Sequence, residues 1–337
     1  MTLEDIDNKL YTLNDEFIDD VRAISGDILI LGAGGKMGPS LAKLTKLALD
    51  AANAKHKVIA VSRFNNKTAE SELNDQGIQT ISMDLLDDGA LQQLPEVENV
   101  IYMAGTKFGT TGNESTTWAM NAYLPGRVAQ KFRRSRIVAF STGNVYPLTS
   151  TGSNGPSEYQ PVAPVGEYAQ SCLGRERMFE YFSKTNGTPV LIYRLNYAID
   201  LRYGVLLEIA KAVRGKKPID LSMGHVNIIW QGDANQIAIR CLKLCSSPPA
   251  ILNVTGTSML SVKWIAHEFG KLFGVNPTFE NSEQPTALLS NASKMERLFP
   301  FAKVSVHEMI KLTADWLDLG GSLLDKPTHF QERTGKF

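Results

Sequence analysis

The sequence predicts an α/β protein built on a doubly wound parallel sheet, with a smaller C-terminal α/β region. Three observations lead to this prediction. Short, strongly apolar segments alternate with longer helical stretches between residues 27 and 194. A glycine-rich loop follows the first apolar segment and precedes a helix. A chain of 337 residues with 43% hydrophobic content can also bury a large core.

Composition and charge exclude several classes of protein. The 35 basic and 35 acidic residues balance, and no long block of one sign occurs, which argues against a dedicated nucleic-acid or anionic-membrane surface. We expect a cytoplasmic protein, because cysteines are few, no secretory segment is apparent and no apolar run approaches the ~20 residues of a membrane span. Cys241 and Cys245 share a predicted helix face, but nothing nearby completes a tetrahedral metal site, so we expect no metal.

Residues 1–26 form a separate pattern, because apolar side chains recur there at steps of three and four. This spacing predicts an amphipathic helical extension. We expect it to cap the main domain, and a dimer-forming helix is the alternative. The recurring positions are Leu3, Ile6, Leu10, Leu13, Phe17 and Val21.

Six apolar segments predict strands that are buried on both faces of a parallel sheet, which defines a dinucleotide-binding Rossmann domain over residues 27–195. Residues 196–337 predict a mixed substrate-binding region, parts of which we expect to pack back on the Rossmann domain. Its segments include "AILNVTG" (250–256) and a helix over 305–317, and the final "DKPTHFQERTGKF" predicts a polar surface tail. The six strand segments are "DILILG" (27–32), "KVIAVS" (57–62), "GIQTISM" (77–83), "NVIYMAG" (99–105), "RIVAFS" (136–141) and "PVLIYR" (189–194).

The loop "LGAGGKMG" has the spacing of a dinucleotide-binding fingerprint. Glycines in such a loop permit a tight turn, close approach of a pyrophosphate and close helix–strand packing, while the helix N-terminus presents free N–H groups. A tight turn without a ligand is the alternative. The predicted cofactor-binding residues of the loop are Gly32, Gly35, Lys36, Met37 and Gly38.

The end of the second strand bears on the choice of cofactor. An acidic residue at this place suits the ribose 2′-hydroxyl of NAD, whereas a basic residue suits the 2′-phosphate of NADP. The sequence has Ser62 and Arg63 there. It therefore favours NADP over NAD, unless Arg63 is a solvated surface residue.

Further motifs follow in order: "MDLLD", "YMAGTKFG", "WAMNAYLPG", "FSTGNVYP", "IIWQGDANQIA" and "NASKMERLFPF". From about Asp27 to Leu317 the chain resembles an extended short-chain dehydrogenase/reductase of the NAD-dependent epimerase/dehydratase family. The resemblance implies that Asp84 and Leu85 contact the adenine and that Asn121 has a structural role. It also implies that Ala104 and Gly105 line the cofactor, with Lys107 near its ribose or the substrate. Thr142 would orient the substrate.

The segment "YAQSCLGRE" resembles the catalytic helix of that family, with one departure. Tyr168 and Glu176 match, but Cys172 stands where the family has lysine. Free tyrosine has a pKa near ~10, and cysteine provides no positive charge to stabilise the phenolate. Proton donation by neutral Tyr168 survives this loss better than proton abstraction does. Lys107 or Arg175 would restore a cation if the fold brought either one close.

The substrate side also departs from the nucleotide-sugar members of the family. They commonly have a basic residue where this chain has Val226 and Asn227. Asn196 and Arg202 are the predicted substrate-binding residues, and His225 is a further candidate. For Arg202 and His225 a structural or surface role is the alternative.

These observations together predict an NADP-dependent oxidoreductase, epimerase or dehydratase with NAD as the alternative cofactor. The expected substrate is a sugar, nucleotide sugar or related polyol. The alternative is a cofactor-binding sensor or scaffold of the same fold without hydride chemistry. The resemblance also implies a homodimer that packs through helices near residues 113–133 and 166–184.

Overall fold

The computed structural model describes residues 1–301, 303–324 and 328–336. A parallel sheet forms its centre, with the strand order 3-2-1-4-5-6-7 and every neighbouring pair parallel. The prediction of a doubly wound α/β fold is therefore confirmed. The strands are β1 (Ile28–Leu31), β2 (Val58–Ser62), β3 (Gln79–Ser82), β4 (Asn99–Tyr102), β5 (Arg136–Thr142), β6 (Val190–Leu195) and β7 (Ala250–Val254).

Helices lie on both faces of the sheet and along the C-terminal region. None of those in the described ranges is long and apolar enough to cross a membrane. A π-helical turn over Ala119–Tyr123 and 3₁₀ turns over Lys9–Tyr11, Gly143–Val145 and Cys241–Leu244 complete the helical elements. The α-helices are α1 (Leu3–Asn8), α2 (Asp15–Arg22), α3 (Gly38–Ala51), α4 (Lys67–Asp75), α5 (Asp88–Gln93), α6 (Glu114–Trp118), α7 (Leu124–Lys131), α8 (Gly166–Asn186), α9 (Val205–Arg214), α10 (Gln231–Arg240), α11 (Val262–Phe273), α12 (Ser293–Leu298) and α13 (Val306–Asp318).

Alternate residues of the central strands enter two different cores. Ile28 and Ile30 of β1 pack with α2, α3 and α10, whereas Leu29 and Leu31 pack with α5, α7 and α8. Successive side chains of a strand point to opposite faces, so a strand covered on both sides must be apolar throughout. This requirement explains the uninterrupted "ILIL" of β1.

The strand β7 differs from the sequence-based expectation, which placed "AILNVTG" in the smaller region. It pairs with β6 along its whole length at the edge of the sheet. Leu252 and Val254 join the same core as α3. The boundary predicted at residue 195 therefore does not separate the sheet from the rest of the chain.

The smaller region has its own core, formed by α9, α11 and α13. Four pairs of two-residue strands connect its loops. Two pairs are parallel, 198–199 with 229–230 and 219–220 with 279–280. Two are antiparallel, 225–226 with 260–261 and 149–150 with 286–287.

The N-terminal segment forms two helices rather than one. Asn14 starts α2, because its side-chain oxygen accepts a hydrogen bond from the Phe17 backbone N–H at 2.8 Å. Ile6 packs into the smaller core, and Phe17 and Val21 pack into the core beneath the sheet. Arg240 of α10 is 2% exposed and forms ion pairs with Glu16 and Asp20 of α2.

The C-terminal segment is not the surface tail that its polar sequence predicts. Phe330 is 1% exposed and enters the smaller core, because it is the one large apolar side chain among residues 328–336. The Arg333 guanidinium donates hydrogen bonds to the carbonyl oxygens of Ser222 and Thr286. The prediction is wrong for residues 328–336; the remainder of the predicted tail, residues 325–327 and 337, lies outside the described residues.

Candidate active site

A crevice opens at the carboxyl ends of β1 and β4, which lie side by side at the centre of the sheet. From β1 the chain proceeds to β2 on one side, and β4 begins the other half of the sheet. In a doubly wound sheet, ligands usually bind at the point where the strand order reverses in this way. The glycine loop lies between β1 and α3, at this position.

The geometry of the loop explains its glycines. Gly32 has a φ of +91°, and a Cβ there would lie 2.6 Å from the Ala104 backbone nitrogen. A Cβ on Gly38 would lie 2.2 Å from the Ala33 carbonyl oxygen, so Gly38 allows α3 to pack against the loop. Gly35 is exposed at the crevice. No side chain caps the N-terminus of α3, which leaves its first N–H groups available to a ligand.

Two adjacent cavities extend from the loop, and both are lined by Gly32, Gly35, Met103 and Gly105. The first has a volume of about 390 Å³, and it is lined by the predicted cofactor-binding residues Ser62, Arg63, Asp84, Leu85 and Ala104. The second has a volume of about 380 Å³. Its lining includes the predicted residues Lys36, Met37, Lys107, Thr142, Tyr168 and Asn196.

The crevice fits a dinucleotide. It offers an uncapped helix N-terminus for a pyrophosphate and a hydroxyl and a guanidinium at the end of β2. A Cβ on Gly34 would lie 2.6 Å from the Ser62 Oγ, so an added side chain would occupy the space between the loop and β2. Gly38 is the one predicted cofactor-binding residue that lines neither cavity. It allows α3 to pack closely against the loop.

Tyr168, in the first turn of α8, reaches the second cavity. Its side chain is in hydrogen-bonding contact with the side chains of Thr142 and Cys172. Thr142 ends β5, and its Oγ1 accepts a hydrogen bond from the Asn144 side chain at 3.0 Å. Burial raises the pKa of Tyr168 above its ordinary value; Cys172 adds to the rise, and the Arg175 charge and the Thr142 hydrogen bond oppose it.

Cys172 lies behind Tyr168 rather than on the cavity wall. It is fully buried among Val145 and Tyr146, with Tyr168 packed against this group. Burial raises the pKa of the Cys172 thiol, and the Arg175 charge opposes the rise. A protonated thiol at this place supplies no charge to the site.

Lys107 approaches Tyr168 from the segment after β4. Its Nζ lies 5.8 Å from the centroid of the Tyr168 ring and 5.4 Å from that of Phe108. Burial lowers the pKa of Lys107 to about 8, and interactions with Cys172 and Glu208 oppose the shift only in part. The ammonium therefore loses its proton in the pH range just above neutrality.

Arg175 brings a second cation to the same face of α8. Its Nη1 donates to the Phe140 carbonyl oxygen at 2.8 Å and its Nη2 to the Asn121 Oδ1 at 2.9 Å. Asn121 lies in the π-helical turn and also bonds the Thr106 backbone and the Ser171 hydroxyl. These bonds fill the hydrogen-bonding capacity of Asn121, as expected of a structural asparagine.

Glu176 takes part in a buried ion pair rather than in the cavity wall. Its carboxylate accepts hydrogen bonds from the Arg194 guanidinium at 2.9 and 2.7 Å and from the Ser141 hydroxyl at 2.5 Å. Arg194 also donates to the Tyr146 hydroxyl. This network ties α8 to β5 and β6.

The candidate substrate residues separate into two groups. Asn196 is buried at the second cavity, but Arg202 does not line it; Arg202 pairs with Asp7 and Asp200 and stacks on Trp316. His225 lies in one of the short strand pairs, away from the cavity lining. Val226 is buried, and the Asn227 side chain is bonded to backbone atoms of Ser258 and Ser290.

Several lining residues have no signal in the sequence. Four of them lie in loops or in the C-terminal segment, one lies in the 3₁₀ turn Gly143–Val145 and one is the first residue of α10. Patterns of period 2 or 3.6 do not show that such positions line a cavity. Lone aromatic and amide residues in such loops resemble ordinary surface positions. The residues missed in this way are Phe108, Asn144, Tyr197, Tyr203, Gln231 and Thr328.

The described part of the chain contains no group of three or more His, Cys, Asp or Glu residues that could hold a metal ion. Cys241 is buried and Cys245 half-buried.

Comparisons with known proteins agree with this architecture. A family model described as the NAD dependent epimerase/dehydratase family matches residues 28–199. A search of curated proteins by sequence finds no significant match.

Solved structures match over most of their length at low identity. Pal from Bacillus thuringiensis is 17% identical, with a TM-score of 0.71 over 87% of this chain and 99% of its own. UDP-glucuronic acid 4-epimerase from Bacillus cereus in complex with NAD is 18% identical, with a TM-score of 0.71 over 87% and 98%. UDP-glucose 4-epimerase from Thermotoga maritima with UDP-glucose is 14% identical, with a TM-score of 0.70 over 87% and 98%. At these identities the likeness establishes the fold.

Proposed function

Because this chain belongs to the NAD dependent epimerase/dehydratase family, we propose that it is a nicotinamide-dependent oxidoreductase, epimerase or dehydratase. Its substrate would be a sugar, a nucleotide sugar or a related polyol. One observation carries the proposal: Tyr168 and Thr142 are in hydrogen-bonding contact at a cavity that continues the glycine-loop crevice. Two hydroxyl groups in this arrangement can hold the oxygen of a carbonyl or an alcohol.

The chemistry divides between the cofactor and the chain. When bound, the nicotinamide supplies or accepts the hydride. Thr142 orients the reacting oxygen and Tyr168 donates a proton to it. Because burial raises the pKa of Tyr168, the phenol stays protonated at neutral pH. It is therefore better suited to reducing a carbonyl than to oxidising an alcohol.

Arg63 and Ser62 support NADP as the cofactor. Both line the first cavity at the end of β2, where a guanidinium can fork onto a 2′-phosphate. NAD is the alternative, since several of the similar structures, among them the Bacillus cereus epimerase, are complexes that contain it.

The second cavity supports a hydroxylated substrate. Asn196, Asn144 and Gln231 place amide groups on its wall, and Phe108 and Tyr203 provide aromatic surface. The similar structures include complexes with UDP-sugars. In this chain Val226 and Asn227 offer no cation for a diphosphate, so a sugar or polyol without a nucleotide remains a candidate alongside a nucleotide sugar.

The test is a cofactor-binding and turnover assay on the purified protein. Binding of NADPH, followed by its fluorescence, should accompany NADPH oxidation with one member of a panel of keto-sugars, UDP-sugars and polyols. Tyr168→Phe is the matched control, because it keeps the ring and removes the proton donor. Failure of the wild-type protein to bind either NADPH or NADH would contradict the proposal.

A sensor or scaffold without hydride chemistry is the second candidate. The observation that favours it is the neutral, fully buried Cys172 beside Tyr168. Cofactor binding with no turnover across the panel, and no difference between wild type and Tyr168→Phe, would favour this candidate.

We also propose a homodimer. Trp118, Tyr123 and Tyr181 are 38%, 57% and 59% exposed on α6, the π-helical turn and α8, which are the elements expected to form the interface. Light scattering should give about twice the chain mass. A concentration-independent mass near 37.0 kDa would contradict the dimer.

A further inference from the structure

The guanidinium of Arg175 is a buried positive charge. Its hydrogen bonds go to neutral groups, the Phe140 carbonyl and the Asn121 amide, and do not balance that charge. Its side chain is only 7% exposed, and its Nε has no hydrogen-bond partner among the described residues. The nearest carboxylate of its own helix, Glu176, is committed to Arg194 and Ser141. A buried charge without a paired carboxylate lowers stability, so a neutral residue would serve packing better.

The location of the guanidinium suggests what it is for. Arg175 follows Tyr168 by seven residues and Cys172 by three, so all three share one face of α8. A Cβ on Gly105 would lie 2.4 Å from the Arg175 Nη2. Because Gly105 lines both cavities, the guanidinium lies directly beneath the wall of the crevice.

We propose that Arg175 is a positioning residue that supplies the fixed positive charge of this site, in place of the ammonium that is absent from position 172. The proposal rests on the cofactor binding proposed above. The guanidinium acts through Tyr168, whose phenolate it favours, and through the electrostatic potential of the crevice.

Arg175 and Lys107 differ in how their charge depends on pH. Burial alone would lower the pKa of Arg175, but interactions with Cys172, Tyr102 and Tyr168 outweigh it, and the pKa is raised. Arg175 therefore keeps its charge at every pH at which the protein is folded. Lys107, with a pKa of about 8, loses its charge as the pH rises above neutrality.

The experiment measures affinity for NADP⁺ and NADPH, and needs no substrate. The two nucleotides have the same phosphates, but only the oxidised ring is positive. A fixed cation near the ring therefore weakens NADP⁺ relative to NADPH. In Arg175→Gln, the ratio Kd(NADP⁺)/Kd(NADPH) should fall roughly tenfold, the effect of two unit charges about 10 Å apart at an effective dielectric constant of about 20.

Three further variants separate charge from geometry. Arg175→Lys keeps the charge and should keep the wild-type ratio. Arg177→Gln removes an exposed arginine of the same helix, which pairs with Glu180, and should also leave the ratio unchanged. Adding Cys172→Lys to Arg175→Gln returns a cation to the face and should restore the ratio.

Two results would overturn this proposal and leave the proposed function standing. One is an unchanged Kd ratio in Arg175→Gln, and the other is a fall of the Kd ratio in Arg175→Lys equal to that in Arg175→Gln. A wild-type protein that binds neither nucleotide would overturn the proposed function as well. If Arg175→Gln does not fold, Arg175→Met provides the test, because an unbranched apolar side chain can fill the same buried space without the charge. The ratio should fall by the same factor in Arg175→Met, and an unchanged ratio would overturn the proposal.

Discussion

The glycine loop and the α8 face (Tyr168, Cys172, Arg175 and Glu176) serve the same crevice but are built on different principles. The loop acts through its backbone, and its glycines are needed for steric reasons. At Gly32, for example, a Cβ would lie only 2.6 Å from the Ala104 backbone nitrogen. The α8 face acts through side-chain charge and protons. A steric demand fixes the residue at one position, whereas a charge can be supplied from any neighbouring position with a long enough side chain. The loop accordingly keeps its full pattern, while lysine is absent from position 172 and arginine stands three residues later.

The largest expected effect tests the chemical side of this comparison. Tyr168→Phe removes the proton donor and should lower turnover by about 10²- to 10⁴-fold, the usual contribution of general acid catalysis. Affinity for NADPH should stay within a factor of about two, because the glycine loop is untouched. Steady-state kinetics and NADPH fluorescence measure the two quantities. Full activity in this variant would remove Tyr168 from the mechanism.

The steric side is tested by Gly32→Ala. The added Cβ would meet the Ala104 backbone, and Gly32 also has a positive φ, so we expect NADPH affinity to fall by at least about 100-fold. Gly109→Ala is the matched control: Gly109 has a φ of +70° but nothing within 4 Å of its Cβ position. Equal losses in the two variants would show that backbone strain, rather than the close approach, is responsible.

Arg63→Ala tests the cofactor choice at the outer end of the crevice. Loss of the guanidinium should reduce the preference for NADP over NAD by about tenfold, because only NADP carries the 2′-phosphate. Calorimetry on both nucleotides measures the preference. Lys67→Ala, at the start of the adjacent helix α4, is the control for general surface charge. Equal affinity of the wild-type protein for NADP and NAD would reject the prediction.

The smallest expected effect concerns the ammonium of Lys107. Between its folded pKa of about 8 and its ordinary pKa of 10.5, the folded state binds fewer protons than the unfolded state, so the stability of the wild-type protein rises with pH over that range. Lys107→Met should thus be more stable than wild type at pH 7, by about 1 kcal/mol after solvent screening. The gain should disappear between pH 8 and pH 10.5. Thermal melts of both proteins across this range measure it; a constant difference would contradict it.

The sequence predicts those features that depend on local pattern. The six strand segments all form strands of the sheet, because a strand buried on both faces must be apolar along its length. The glycine loop is equally visible, since its spacing follows from steric contact. The sequence does not show that Ala250–Val254 pairs with β6, because pairing depends on residues about 60 positions apart. Nor does it show that Arg175 reaches beneath Gly105 or that Arg202 pairs with Asp7, because the direction of a long side chain is set by its neighbours in space.

The N-terminal helices have a consequence for the order in which this protein folds. Glu16 and Asp20 are synthesised well before their partner Arg240, which follows them by more than 200 positions. The edge strand β7 is synthesised later still. During synthesis, part of the apolar surface of the sheet therefore stays uncovered until α10 and β7 have been made. Contacts this distant in sequence slow folding and prolong the interval in which apolar surface is exposed.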